Sequence, residues 1–348
     1  MLTQSSKKWA SLLTASVLSL SVLASCSGSR TTQQTESSST ANSETCAPEL
    51  AAIDFGIIST ESQDNLKTKW DPFVDAMEAQ LGRPVNAFYA TDYAAVIEAM
   101  GAGKIQLAWY GGKSYIEAAK RSNAEAFARV IGEDGTKGYY SHLITNKDNP
   151  IVSQIDVNQG NGDQYVIQNA ANLTFAFNDP ESTSGFLVPS YYVFAKNGMN
   201  PNEAFKQLTF AGSHEATAQA VANNQVDVAT NNSEQMTIIE ESSPETREKI
   251  QVIWTSPEIP SDPLAYRKDM PDCLKEQVRN FFYNYKDASI LGALDWSGFE
   301  AAKDEDWDTI RELNIGKEIL EIQNDKNLNE QQKQQKIGEL NNQLDALK

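Results

Sequence analysis

An α/β fold in two halves is what the body of this 348-residue chain predicts. From Pro48 onward, apolar strand-like runs alternate with amphipathic helical stretches, the pattern of sheets covered by helices. Helix-starting Asp, Ser and Thr and helix-stopping Gly punctuate that alternation. The repeat continues for about 270 residues, more than one hydrophobic core comfortably serves, which suggests two domains.

Before the body comes an address. Lys7 and Lys8 precede the apolar run WASLLTASVLSLSVLA, so residues 1–25 read as a secretory signal peptide. The run is too short and too rich in Ser and Thr for a spanning helix. It ends in Leu23-Ala24-Ser25-Cys26, which resembles the lipobox of bacterial lipoproteins. That resemblance implies cleavage before Cys26, a lipid on its sulfur, and contact with the membrane through the lipid alone. The implied location is the periplasm or cell envelope. Residues 27–45 hold one apolar residue, Ala41, and cannot build a core, so 26–46 is read as the lipidated Cys and a flexible tether.

The elements follow in order. AAIDFGII is a strand, and Trp70, Phe73, Val74, Met77 and Leu81 then recur at helical spacing. Asp92 is placed to cap a helix over YAAVIEAM, stopped by Gly101-Ala102-Gly103, and IQLAWYGG returns to strand. AFARVI, YYSHLITN, LTFAF, the LTFA at 208–211, VDVAT and IQVIW read as further strands. DVNQGNGDQYVIQNAAN, between two of them, reads as a surface insertion. From Gly316 the chain changes character: Ile337, Leu340, Leu344 and Leu347 recur at three- and four-residue spacing on a polar helix. That stripe either packs on its own body or forms a seam for a second subunit, and the homodimer is the preferred reading.

Charge excludes one class of function. The net charge is −18, nothing basic is clustered, and cleavage before Cys26 would remove Lys7 and Lys8 but no acid. Nucleic acid is therefore not a partner. Cys46 and Cys273 are left either to pair in an oxidising envelope or to stay as two thiols, and spacing does not decide.

Chemistry concentrates in Asp179-Pro180-Glu181-Ser182-Thr183-Ser184-Gly185, which follows a strand and precedes an apolar helical stretch. The first turn of a helix leaves free N–H groups and a positive dipole end, so hydroxyls there can hold an oxyanion without Lys or Arg. One Ser would suffice for capping, whereas three hydroxyls and a Gly that permits close backbone approach favour an anion site. His214, one of two histidines with His142, opens a helix after another strand, at the usual binding edge of an α/β sheet. Walker A and Gly-x-Ser-x-Gly motifs are absent, and no His or Cys pair has metal-ligand spacing. No catalytic residue, metal or cofactor is therefore assigned, and a secreted phosphoesterase is the weaker reading.

Six segments, YAAVIEAM, IQLAWYGG, GYYSHLITNKD, DPESTSGFLVPSYYVFAKN, AVANNQVDVATNNSE and VIWTSPEIPSDPLAYRK, together resemble the phosphonate-binding proteins of bacterial ABC transporters. They run in the family's order over most of the chain. The fourth and the VDVATNN stretch are the specific ones, while the first two occur in many transport binding proteins. The resemblance implies a two-lobed periplasmic binding protein fold, type II-like, with two α/β lobes joined by a two-crossover hinge. Lobe one would be about 47–146 plus 256–316, lobe two about 147–255, and the helical tail 317–348, with crossovers near Thr145-Asn146 and Thr255-Ser256. It places the phosphonate on Ser182, Thr183, Ser184 and His214, reached by Tyr93 and Tyr139 from the other lobe, and a ligand ammonium on Glu234 and Asp262. Trp109 is a candidate cleft wall or a core residue. The implied role is delivery of a phosphonate, 2-aminoethylphosphonate first, to ABC permease and ATPase subunits, with phosphite, methylphosphonate or phosphate as the alternative ligand. The longer segment at 156–172 and the lipobox are departures from the family's pattern.

Overall fold

The computed structural model describes Cys46–Lys348. The signal peptide, the lipidation of Cys26 and the tether through residue 45 lie outside the described residues.

Thirteen strands are present among the described residues: β1 Ile53–Ile57, β2 Val85–Tyr89, β3 Leu107–Trp109, β4 Ala124–Gly132, β5 Gly138–Tyr139, β6 Ser141–Asn146, β7 Thr174–Phe177, β8 Gln207–Phe210, β9 Val228–Asn232, β10 Ile250–Thr255, β11 Ile259–Pro260, β12 Pro263–Arg267 and β13 Trp296–Ala301. Six form one sheet in the order β13-β4-β12-β3-β1-β2, and five form a second in the order β10-β6-β9-β7-β8. In the first, β1 pairs in parallel with β2 and β3, while β12 and β13 return antiparallel against β4. In the second, β7 pairs in parallel with β8 and β9, and β6 lies antiparallel between β9 and β10. A two-stranded ribbon of β5 and β11 sits where the chain passes between the sheets.

The strands are buried on both faces where helices cover them, which is why β1 and β3 read as near-continuous apolar runs. Phe55, Trp70, Phe73, Phe281 and Phe282 pack edge to face in the core of the first sheet, and Phe175, Phe177 and Phe194 do so in the second. Asp92 caps the helix Tyr93–Gly101, its Oδ1 accepting from the Ala95 N–H at 2.8 Å, as its position predicts.

Four expectations change. Residues 141–146, placed with the first lobe, form a strand of the second sheet, so the first passage lies at Tyr139–Ser141 and not at Thr145-Asn146. An apolar run shows that a strand exists but not which neighbour it pairs with. The segment 156–172 is more than a surface insertion, because the helix Gly162–Asn169 buries Val166 in the core of the second sheet. The tail boundary at Gly316 falls inside one continuous helix, Asp308–Asn324. There the glycine serves close packing, since a Cβ would meet the Tyr191 ring at 3.0 Å. Finally, the helix Glu330–Ala346 folds back on Asp308–Asn324 and buries Leu340, with Ile337, Leu344 and Leu347 half-buried. Much of the stripe read as a subunit seam is thus used by the chain itself. Cys46 and Cys273 are joined in a disulfide, Cα to Cα 6.0 Å, which ties the start of the described chain to the helix Asp272–Asn284.

Candidate functional site

One small cavity between the two sheets is lined by Tyr93, Trp109, Tyr139, Ser182, Thr183, Ser184, His214, Glu234 and Asp262 together. The centre of a water molecule can range over ≈ 50 Å³ inside it. That is an enclosed space on the scale of a small ligand.

Its first end is made of helix starts. The Ser182 Oγ accepts from the Gly185 N–H at 3.0 Å and opens a helix that winds in the wider π form through Thr183–Leu187 and Ser190–Phe194. The Leu187 N–H reaches back five residues to the Ser182 carbonyl (3.1 Å), and Pro189 brings no N–H of its own. Ser182, Thr183 and Ser184 are almost fully buried. His214 opens the helix His214–Ala222 behind the cap Ser213, and Glu234 stands in the first turn of Ser233–Ser242 behind the cap Asn232. Tyr93 and Gly111-Gly112 bring two more helix starts from the first sheet. Several positive dipole ends therefore converge on one cavity of an acidic protein.

Gly185 plays a different part from the one expected. A Cβ there would meet the Asn178 side chain at 2.5 Å, so the glycine admits that side chain and not a ligand. Burial, then Asp179 for Tyr93 and Asp262 for Tyr139, pushes both phenols well above 10, so each hydroxyl remains a neutral donor. Burial also lowers His214 to about 3, keeping the ring neutral.

The second end holds two carboxylates. Asp262 lies in the two-residue link between β11 and β12, Ser261–Asp262, and is 6% exposed. Burial pushes it up to about 7, with the Tyr139 hydroxyl and Trp109 indole pulling partly the other way. Tyr139 and Trp109 stand close enough to favour its charged form, but among the described residues neither its Oδ1 nor the Trp109 Nε1 reaches a well-aligned hydrogen bond. Glu234 borders two cavities and so keeps some exposed surface, yet burial first, then Asp262 and Asp295, raise it well above the ordinary carboxylate range. Trp109 itself packs against Trp70 and Trp296, at 5.2 and 5.6 Å, and is both core and cavity wall. The two ends are close: a Cβ on Gly111 would lie 3.1 Å from Thr183 Oγ1 and 3.8 Å from Asp262 Oδ1.

Contacts between the two halves surround the cavity. The Lys113 N–H donates to Thr183 Oγ1 (2.8 Å), and Lys113 Nζ pairs with Glu181 (2.5 Å). The Tyr93 N–H donates to Asp179 Oδ2 at 3.3 Å. The Thr60 carbonyl accepts from the His214 N–H at 3.0 Å, and Glu215 accepts from the Ser62 N–H (2.7 Å) and Asn65 Nδ2 (3.0 Å). The halves are thus clasped shut over the space.

Residues 55–307 match a protein family described as the periplasmic substrate-binding protein of phosphonate ABC transporters. The chain belongs to that family. This binding protein is 46% identical over 300 residues to the phosphonates-binding periplasmic protein of Escherichia coli (strain K12), covering 85% of this chain and 86% of that one. It is 32% identical over 182 residues to a phosphate-import protein of Mycolicibacterium smegmatis, covering 50% and 53% of the two chains. The crystal structure of a binding protein component of a phosphonate ABC transporter from Pseudomonas aeruginosa superposes with a TM-score of 0.80 at 44% identity, over 85% of this chain and 96% of that one. The binding protein accordingly has the two-lobed α/β fold of periplasmic binding proteins and works with membrane permease and ATPase subunits.

Sequence reasoning missed several residues of its cavity. Asn232 and Gln235 line it from the helix start that carries Glu234, and Glu61 and Lys69 border it as an ion pair, 2.5 Å apart. Asn232 lay inside a quoted motif and as a strand-end Asn was a legible cap. Lys69 and Glu61 gave no local signal, because what matters is their pairing across a helix turn and a loop. His142 lies away from the cavity in β6, its Nδ1 3.0 Å from the Thr255 hydroxyl.

Proposed function

We propose that this binding protein captures 2-aminoethylphosphonate in the cavity between its lobes. The observation that carries the reading is the shared wall: hydroxyl and helix-start donors and two carboxylates, Asp262 buried and Glu234 partly buried, border one small space. A zwitterion needs donors at one end and acceptors at the other. Two enclosed carboxylates with raised pKa values and an Asp262 oxygen without a well-aligned hydrogen bond are costly without a cation between them. The phosphonate group is assigned to Ser182, Thr183, Ser184, His214, Tyr93 and Tyr139, and the ammonium to Glu234 and Asp262, with Trp109 as a wall. A receptor for phosphite, methylphosphonate or phosphate would need the same first end but has no use for the second. The resemblance of Leu23-Ala24-Ser25-Cys26 to a lipobox supports delivery to the permease from a lipid anchor on Cys26.

Titration calorimetry of the purified protein with 2-aminoethylphosphonate, methylphosphonate, phosphite and phosphate tests this. The amino compound is expected to bind at least about tenfold more tightly than methylphosphonate, the worth of one charge-assisted hydrogen bond. Equal or tighter binding of methylphosphonate or phosphite would leave the anion end in place and remove the ligand assignment.

A further inference from the structure

Gln235, in the first turn of the helix Ser233–Ser242, is 3% exposed and lines the cavity. Its backbone N–H donates to Asn232 Oδ1 at 2.7 Å, but its side-chain amide makes no hydrogen bond among the described residues. The two asparagines before it are used by the fold. Asn231 Nδ2 donates to the His214 carbonyl and to Thr217 Oγ1, each at 2.9 Å, and Asn232 caps the helix. An amide taken from water and left unpaired is costly, so one kept on a cavity wall is placed for what enters the cavity.

Gln235 also borders an outer hollow between the halves, where Glu61, Glu215, Thr68 and Ser242 offer acceptors and Lys69 is held by Glu61. Those acceptors draw the amide N–H groups outward and leave Oε1 to the cavity. An acceptor is what the cavity's second end is short of. A primary ammonium has three N–H donors, and that end offers the Glu234 carboxylate and Asp262 Oδ1. The wall beside Asp262 is made of Trp109, Trp70 and Trp296, rings 5.2 to 5.6 Å apart, and an indole N–H only donates. The first end, by contrast, has hydroxyls and helix-start N–H groups enough for the three oxygens of a phosphonate.

We infer that Gln235 Oε1 is the third acceptor for the ligand's ammonium, beside Glu234 and Asp262, and makes the second end selective for a primary ammonium over an N-methylated one. This rests on the 2-aminoethylphosphonate reading of the site. Each carboxylate takes one N–H direction of a tetrahedral nitrogen, and the neutral amide oxygen takes the remaining one without adding charge to an already acidic end. A methyl group on the nitrogen removes one donor, so one of the three acceptors is left buried and unpaired. A site built to bond a ligand N–H rejects the analogue lacking it. The indole wall makes the opposite demand, since aromatic faces accept methylated ammonium groups, and the amide is what decides between them.

The test is calorimetry of the wild type and Gln235→Leu with 2-aminoethylphosphonate, its N-methyl derivative and methylphosphonate. The wild type is expected to bind the primary amine about tenfold or more tightly than the N-methyl compound. In Gln235→Leu the primary amine should lose about tenfold or more while the other two ligands change by less than about threefold, so that the preference collapses. An amide without a partner adds no hydrogen bond to the empty protein, so the ligand-free urea midpoint of Gln235→Leu should match or exceed that of the wild type. Equal losses for all three ligands would make Gln235 a structural residue or a phosphonate contact, and unchanged affinities would take it out of the site; either overturns the proposal. So would an N-methyl compound bound as tightly as the primary amine by the wild type, a result that needs no variant and decides even if Gln235→Leu does not fold. If instead the wild type holds 2-aminoethylphosphonate no more tightly than methylphosphonate, the ligand assignment itself falls and takes this proposal with it.

Discussion

Asp262 and Glu234 are acids that the fold holds away from water and against each other, and the energetics of the site turn on them. Asp262→Asn removes one acceptor for an ammonium while keeping shape, so 2-aminoethylphosphonate should bind about tenfold or more weakly while methylphosphonate changes little. Competition binding checks this, and equal losses for both ligands would contradict the amine role. The same burial governs stability. The folded-state pKa of Asp262 is raised from 3.8 to about 7, so its contribution is fully present below pH 3.8 and is lost as pH rises through 7. The ligand-free protein is therefore expected to lose a few kcal/mol between about pH 4 and pH 8, at roughly 1.4 kcal/mol per pKa unit. Urea unfolding at pH 5 and pH 8 should show this loss in the wild type and a flatter profile in Asp262→Asn/Glu234→Gln; parallel profiles would mean that the pair is not buried together. At this scale the helix-start positions of Ser182 to Ser184 and His214 were legible from local punctuation, whereas Glu234 and Asp262 were singled out only by the family resemblance, and all of them line one cavity. Lys113 and Glu215 were not legible, since their partners lie 70 and 153 positions away.

At the scale of elements, the anion end is a helix whose first turn is shared between ligand duty and closure. Thr183 Oγ1 accepts the Lys113 N–H from the other half, so its own hydrogen is free to point into the cavity. Thr183→Ala with Ser184→Ala should weaken every phosphonate, with or without an amine, by about tenfold or more. Unchanged affinity in calorimetry would remove the helix start from the site. Glu215 belongs to a neighbouring helix start and touches only the opposite half among the contacts above, taking Ser62 and Asn65. Glu215→Ala should therefore raise the dissociation rate about threefold to tenfold for all ligands alike, with less effect on association. A stopped-flow measurement in which one ligand alone is affected would place Glu215 in the pocket and not in the clasp. The π winding of the helix was not legible, because hydroxyls and a proline announce a helix boundary without fixing its pitch. The sheet membership of β6 was hidden for a related reason: strand pairing is decided by partners that a local pattern does not name.

At the scale of the whole molecule, alternation of strand and helix announced the α/β class, and the quoted segments implied two lobes, but what fastens the chain was left open. The helix Asp308–Asn324 packs against Gly112–Arg121 on the first lobe and against the π-wound helix on the second, so the tail straddles both. The disulfide joins residues separated by 227 positions, the widest fastening described here. Loop-closure entropy grows only slowly with such length, so its removal should cost about 2–5 kcal/mol and not more in proportion to the span. Cys46→Ser with Cys273→Ser is expected to lower the denaturant midpoint by that amount while leaving phosphonate affinity near wild type, because neither sulfur borders the cavity. Loss of affinity together with stability would mean that the N-terminal fastening helps hold the lobes closed. Unchanged stability would mean instead that Arg83, which donates to the Leu50 carbonyl at 2.8 Å and also to the Cys46 carbonyl, already anchors this segment without the covalent bond.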